Sequence, residues 1–275
     1  MRSSLGATFM WPDDIPCNML RIMLCIVQSG IPKSICLDYL KDFLIFLIFK
    51  GLGMADGTGS RQELQADKAF AALLVALGQG TLRANEFISM PKLAELLEFP
   101  IAATREAIKR AETQSLVSIL PKRGIVVMDA SPELTRSCLD MRALLDKEGA
   151  CRLIRAGVPL PLNSLRGAHE TMLQLAQSDR SPDLPAQALK TDLSLHDMLA
   201  SGLDNPFLRS VYDANRNRLS VIQTARAFLV DRIVSAMEEH LAIIAALRAH
   251  DVDQVSKAID HHCRQTMRWW GVDGG

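Results

Sequence analysis

From about residue 131 onward, apolar side chains recur every three or four positions in one segment after another. Turn signals interrupt the pattern at Gly157-Val-Pro159, Ser181-Pro182-Asp183, Gly202-Leu-Asp-Asn205-Pro206 and His250-Asp251. The segments, about 133–155, 161–178, 185–201, 205–220, 223–249 and 252–270, predict six helices in an antiparallel bundle. No alternating strand pattern intervenes, so residues 131–275 are expected to form one all-helical domain.

The stretch 66–130 is patterned differently. Phe70, Leu73, Leu74 and Leu77 predict a helix over Ala66–Leu77 that Gly78 and Gly80 stop. A second, short helix follows, with Ser89 as its cap, Pro91 in its opening turn, and a stripe of Leu93, Ala94, Leu96 and Leu97 running to Glu98. Pro100 opens a third, in which Ala103, Ala107, Ile108 and Ala111 face inward and Thr104, Arg105, Lys109 and Arg110 lie on other faces. Leu116–Leu120 and Gly124–Val127 are β-rich runs joined by Pro121-Lys122-Arg123, a hairpin with a basic tip. Three helices and a hairpin predict a winged helix-turn-helix. The fold class expected is therefore mostly α, an N-terminal winged helix-turn-helix followed by a six-helix bundle.

Residues 1–65 are an atypical extension and tail. The run Phe43–Phe49 is far shorter than the roughly 20 residues of a membrane-spanning helix, and no small-residue cleavage site clearly follows it. No stable membrane association is expected, although a weak anchor remains open. The favoured reading is that translation begins at Met54, whose polar, glycine-containing sequel resembles the tail before a first domain.

Composition adds limits. Hydrophobic residues make up 48% and charged residues 23%, which excludes a disordered or fibrous chain. Lys plus Arg equals Asp plus Glu at 31 each, so an anionic partner must be met by a local patch. Six cysteines without a CxxC pair fit a reducing cytoplasm.

The winged segment resembles the GntR family in an ordered set of pieces: Leu93-Ala94, Thr104-Arg105-Glu106-Ala107-Ile108, Ser115-Leu116-Val117, and Pro121-Lys122-Arg123-Gly124. The resemblance implies binding to a double-stranded DNA operator by Thr104, Arg105 and Lys109 of the third helix and by Lys122, Arg123 and Gly124 of the wing. Arg105 is the foremost contact expected. A recognition helix of this kind offers its N-terminal side chains to the major groove, while basic groups neutralise phosphates. The chain departs from the family pattern at Pro100-Ile101, where Ser-Arg is usual, at Ala102-Ala103 and at Pro91, so base preference should differ; residues 67–129 carry 8 basic against 7 acidic side chains. Read alone, Arg105 and Lys109 are an ordinary solvated helix face.

In the bundle, Asp192 and His196 lie one turn apart on one helix face. His240 falls in the stripe Ile233, Met237, His240, Ile244, and His262 in the stripe Val255, Ile259, His262. Inward-facing neutral imidazoles need partners, and three of them with a carboxylate suit a divalent cation. Taken singly, each histidine reads as an ordinary core or surface residue; His169, His250 and His261 are assigned to that class.

The region from Arg142 to His262 resembles the FCD ligand-binding domain of FadR-type GntR proteins. It carries Asp192-Leu-Ser-Leu-His196, Gly202-Leu-Asp-Asn205-Pro-Phe-Leu208, Glu239-His240, and His262 after 22 residues. The resemblance implies one divalent metal ion of the Zn, Ni or Mn type held by Asp192, His196, His240 and His262. It further implies a homodimer and a small organic acid as effector. Arg142 is read either as a fork for the effector's carboxylate or as a surface ion pair with Asp146. The function expected is a cytoplasmic transcription regulator rather than an enzyme. A bundle metalloenzyme, or a metal-dependent sensor without DNA binding, are the alternatives.

Overall fold

A computed structural model describes residues 57–178, 181–226 and 230–273. The extension 1–53, its apolar run and the start at Met54 lie outside the described residues.

Helix α1 (Gly57–Gly78) begins well before the Ala66 expected from the apolar spacing. Phe70, Leu73 and Leu77 are buried along it as the spacing predicts, whereas Leu74 is only half-buried. A two-residue strand β1 (Phe87–Ile88) follows, which the sequence pattern is too short to reveal. Next come α2 (Met90–Leu97) and α3 (Ile101–Thr113), separated by Glu98 in the left-handed region at φ 59°. Ser89 stands at the N-cap of α2, but its side chain makes no capping bond. Leu96, assigned to the inward stripe, is 39% exposed, because it lies a quarter-turn beyond the buried Leu93, Ala94 and Leu97.

Strands β2 (Val117–Leu120) and β3 (Gly124–Val127) form the expected hairpin, and β1 adds to its far side, giving an antiparallel sheet of order β1-β3-β2. Ile88 pairs with Ile125 and Val117 with Val127, so one face of the sheet enters the core. Gly124 sits at φ 151°, where an added Cβ would come within 2.7 Å of the Ile88 carbonyl oxygen. The close approach of β1 therefore requires glycine at the base of the wing.

Six helices form the rest: α4 (Pro132–Ala156), α5 (Leu162–Ser178), α6 (Leu184–Ala200), α7 (Pro206–Thr224), α8 (Val230–Arg248) and α9 (Val252–Trp269). Side-chain caps from Ser131, Asn205 and Asp251 start α4, α7 and α9, each accepting from backbone N–H groups that the helix leaves unpaired. The sequence pattern ends the fourth bundle helix near 220 and restarts at 223, but α7 runs to Thr224 and α8 begins only at Val230. Leu219, Val221 and Ile222 are all buried, so the apolar pattern carries across the expected boundary. No glycine or proline lies between 219 and 235 to mark the break.

Helices α4 and α6 approach unusually closely. A Cβ on Gly149 would lie 2.1 Å from the Leu199 carbonyl oxygen, and one on Gly202 would lie 2.3 Å from that of Gly149. These two glycines let the two backbones touch, which brings the polar residues of α4 against those of α6.

The winged helix and the bundle share one continuous core, from Leu73 and Ile108 to Leu139, Ile222 and Ile259. Polar bonds join them as well. The carbonyl of Gln114, at the end of α3, accepts from Arg218 Nε of α7 at 2.9 Å, and its side-chain oxygen accepts from Asn217 Nδ2 at 3.0 Å. Arg226 donates to the carbonyls of Trp270 and Ala130, tying the end of α9 to the entry of α4. Among the described residues no helix is long and apolar enough to cross a membrane.

Candidate metal centre and nucleic-acid interface

Three helices supply the four residues singled out by the sequence. Asp192 and His196 come from α6, His240 from α8 and His262 from α9, and one donor atom from each lies within 4.8 Å of all the others. All four are buried. Their ring nitrogens are oriented from outside: His196 Nδ1 donates to Asp146 Oδ2 and His262 Nδ1 to Glu239 Oε2, each at 2.7 Å. Both rings therefore present Nε2 lone pairs inward. His240 Nε2 joins them, 3.3 Å from His262 Nε2 and 3.6 Å from Asp192 Oδ1.

The cluster fits a divalent cation on its own chemistry. His196 Nε2 and Asp192 Oδ2 are buried and have no hydrogen-bond partner, a costly state that a cation between them would relieve. Burial holds His240 and His262 well below the usual histidine range, so both rings are neutral, as ligands must be. Burial pushes the Asp192 carboxyl up, but His196, Arg142, His262 and Arg232 outweigh it and hold it low, leaving an anion.

Two of the supporting residues were not assigned from the sequence. Asp146 lies one turn beyond Arg142, a spacing that suggested a surface pair between them. The structure corrects this: both are buried, with Asp146 turned to His196 and Arg142 turned to the cluster. The reason is the glycine contact between α4 and α6, which takes this face of α4 out of solvent. Arg142 places Nη1 3.9 Å from Asp192 Oδ2 and Nη2 3.4 Å from His262 Nε2. Glu239, read only as the neighbour of His240, is held by both terminal nitrogens of Arg232, at 2.8 and 3.1 Å. His250 and His261 are exposed, in keeping with their ordinary assignment, but His169 is fully buried, its ring centroid 5.2 Å from that of His240.

Beside the cluster a small pocket opens between α4, α6 and α7, lined by Arg142, His196, Tyr212, Asn215, Arg216 and Gln223 among others. Asn215 Nδ2 donates to the Cys138 carbonyl, which leaves Asn215 Oδ1 buried and unpaired; Gln223 Oε1 is in the same condition. The pocket thus offers the Arg142 guanidinium beside the cluster and two open acceptors.

In the winged helix, Arg105, Lys122 and Arg123 are exposed, and their side chains make no hydrogen bond or ion pair among the described residues. Lys109 is exposed but paired with Glu106 at 2.9 Å, and Arg110 is engaged by Asp67 and stacks on Phe70. Lys122 holds the wing tip in the left-handed region at φ 60°. The structure removes Thr104 from the expected DNA-facing set. It is fully buried, and its hydroxyl donates to the Pro100 carbonyl at 3.1 Å. With Ala107, Ile108 and Ala111 it completes the spacing of an inward stripe, and the hydroxyl is satisfied by the preceding turn.

The chain thus joins a three-helix, three-stranded winged domain to a helical bundle that holds a cluster of three histidines and one aspartate. Residues 137–265 match the family model described as the FCD domain. With the winged helix that precedes this segment, the match is consistent with a FadR-type GntR regulator carrying an FCD domain. Among solved structures, E. coli McbR/YncC superposes with a TM-score of 0.63 at 17% identity, over 74% of this chain and 95% of that one. A putative transcriptional regulator GntR from Rhodococcus sp. RHA1 gives 0.62 at 17% identity, over 78% of this chain and all of the other. At these identities the likeness is one of fold. No curated protein matches the chain.

Proposed function

We propose that this chain is a sequence-specific, DNA-binding transcription regulator whose grip on its operator is set by a small carboxylate bound at a metal site in the helical domain. The observation that carries the reading is the convergence of Asp192, His196, His240 and His262 beside a pocket containing Arg142. These four residues would hold a divalent ion of the Zn, Ni or Mn type, which would supply positive charge and open positions for a carboxylate oxygen. Arg142 is placed to form a charge-assisted fork with the same anion, and Asn215 Oδ1 and Gln223 Oε1 would accept from hydroxyl or amine groups further along it. Arg105, Lys122 and Arg123 are free to meet DNA, and a palindromic operator requires two copies of the chain.

A regulator is favoured over an enzyme by the state of the neighbouring carboxylates. Asp146 and Glu239 are each committed to a histidine, so neither is available as a general base. The test is elemental analysis of the purified protein followed by calorimetric titration of organic acids and gel shifts on genomic fragments. Metal-loaded protein whose DNA affinity changes with one organic acid is the expected result. Turnover of that acid, or no retention of any DNA, would overturn the proposal.

A further inference from the structure

Each metal-facing histidine needs something to hold its second ring nitrogen. Asp146 does this for His196 and Glu239 for His262. For His240 the nitrogen concerned is Nδ1, since Nε2 points to His262 and Asp192; Nδ1 is buried and has no partner. If Nε2 gives its lone pair to a cation, the ring's hydrogen resides on Nδ1 and needs an acceptor.

An acceptor stands beside it. His169 is fully buried on α5, a helix that supplies none of the four ligands. Its Nδ1 lies 2.8 Å from the Leu165 carbonyl oxygen. A carbonyl only accepts, so Nδ1 carries the hydrogen and Nε2 carries a lone pair. That Nε2 is also buried without a partner. The two rings meet edge to face with centroids 5.2 Å apart. Two imidazoles joined by an ordinary N–H···N bond have their centroids roughly 5 Å apart. One orphaned donor and one orphaned acceptor thus lie on adjoining rings.

We propose that His169 is the outer partner of His240, accepting the Nδ1 hydrogen through its own Nε2 and so fixing the tautomer and aim of the ligand. This rests on the metal-bound reading of the cluster. His169 is thereby a positioning residue, and it ties α5 into the site. Removal of such partners commonly costs 10- to 100-fold in metal affinity.

The test uses the full chain, stripped with a chelator and titrated with Zn²⁺ against a competing chelator, as wild type, His169→Leu and His169→Gln. His169→Leu fills the space without an acceptor, while His169→Gln restores an oxygen. The expected result is a 10- to 100-fold weaker zinc affinity in His169→Leu, near wild-type affinity in His169→Gln, and unchanged melting of the stripped forms. Equal affinity in His169→Leu and wild type removes His169's part and leaves the metal centre standing. Equal loss in both variants overturns the proposal too, since it makes volume the cause. A wild type that takes up no zinc fails the metal reading and this proposal together. Independently of any variant, the zinc-loaded wild type should show a slowly exchanging, downfield Nδ1 proton assigned to His240, and its absence overturns the proposal.

Discussion

Thr104 and Arg105 are adjacent on α3, yet one is sealed in the core and the other is exposed. Arg105→Ala is expected to weaken operator binding by about 1 to 3 kcal/mol without changing the melting temperature. Thr104→Val should leave gel shifts unchanged and alter stability by no more than about 1 kcal/mol, because the hydroxyl bonds only its own preceding turn. Lys122→Ala and Arg123→Ala should each weaken all DNA alike and reduce the salt dependence by roughly one counterion. A measured operator loss on Thr104→Val equal to that of Arg105→Ala would contradict this partition. The spacing of Thr104, Ala107, Ile108 and Ala111 was already present in the sequence; the polar type of Thr104 hid it. The four cluster residues were singled out by the one-turn spacing of Asp192 and His196, by the apolar stripes around His240 and His262, and by the resemblance of the segment to the FCD domain. Asp146 was not, because nothing in the sequence marks α4 as touching α6 except two glycines far apart.

Those glycines set the element-scale result. Gly149→Ala or Gly202→Ala would force a methyl group against backbone, which cannot rotate away, so α4 and α6 must separate. Each is expected to destabilise the fold by at least about 1 to 3 kcal/mol, read as a lower melting temperature. Each should also reduce bound metal, since Asp146 would move off His196. Asn205→Ala removes the acceptor for two N–H groups at the start of α7 and should cost about 1 kcal/mol with no change in metal content. The six helices themselves were legible because each is long and periodic. The strand β1 was not, having only two residues, and the α7–α8 boundary was blurred because buried residues occupy both sides of the expected break.

At the scale of the whole molecule, a metal held by the cluster would be linked to the fold. A ligand that binds only the native state adds RT ln(1 + [L]/Kd) to stability, about 4 kcal/mol at a thousandfold excess over Kd. Chelation should therefore lower the melting temperature of wild type and leave that of His240→Ala unchanged; identical shifts in both would show that the chelator acts elsewhere.

The grip of Arg218 and Asn217 on Gln114 gives this linkage a direction. Helix α7 carries pocket residues Tyr212, Asn215, Arg216 and Gln223 and, between them along the same helix, the two side chains that hold the last residue of α3's cap. Whatever fills the pocket and shifts α7 by a fraction of an ångström is thereby felt at the end of the helix that bears Arg105. Coupling of this kind is a free energy shared by two sites, and it must act equally in both directions. Operator DNA should change the affinity for the organic acid by the same factor by which the acid changes the affinity for DNA. In Arg218→Ala both ligands should still bind, and that common factor should fall towards one, as paired calorimetric titrations with and without the second ligand would show.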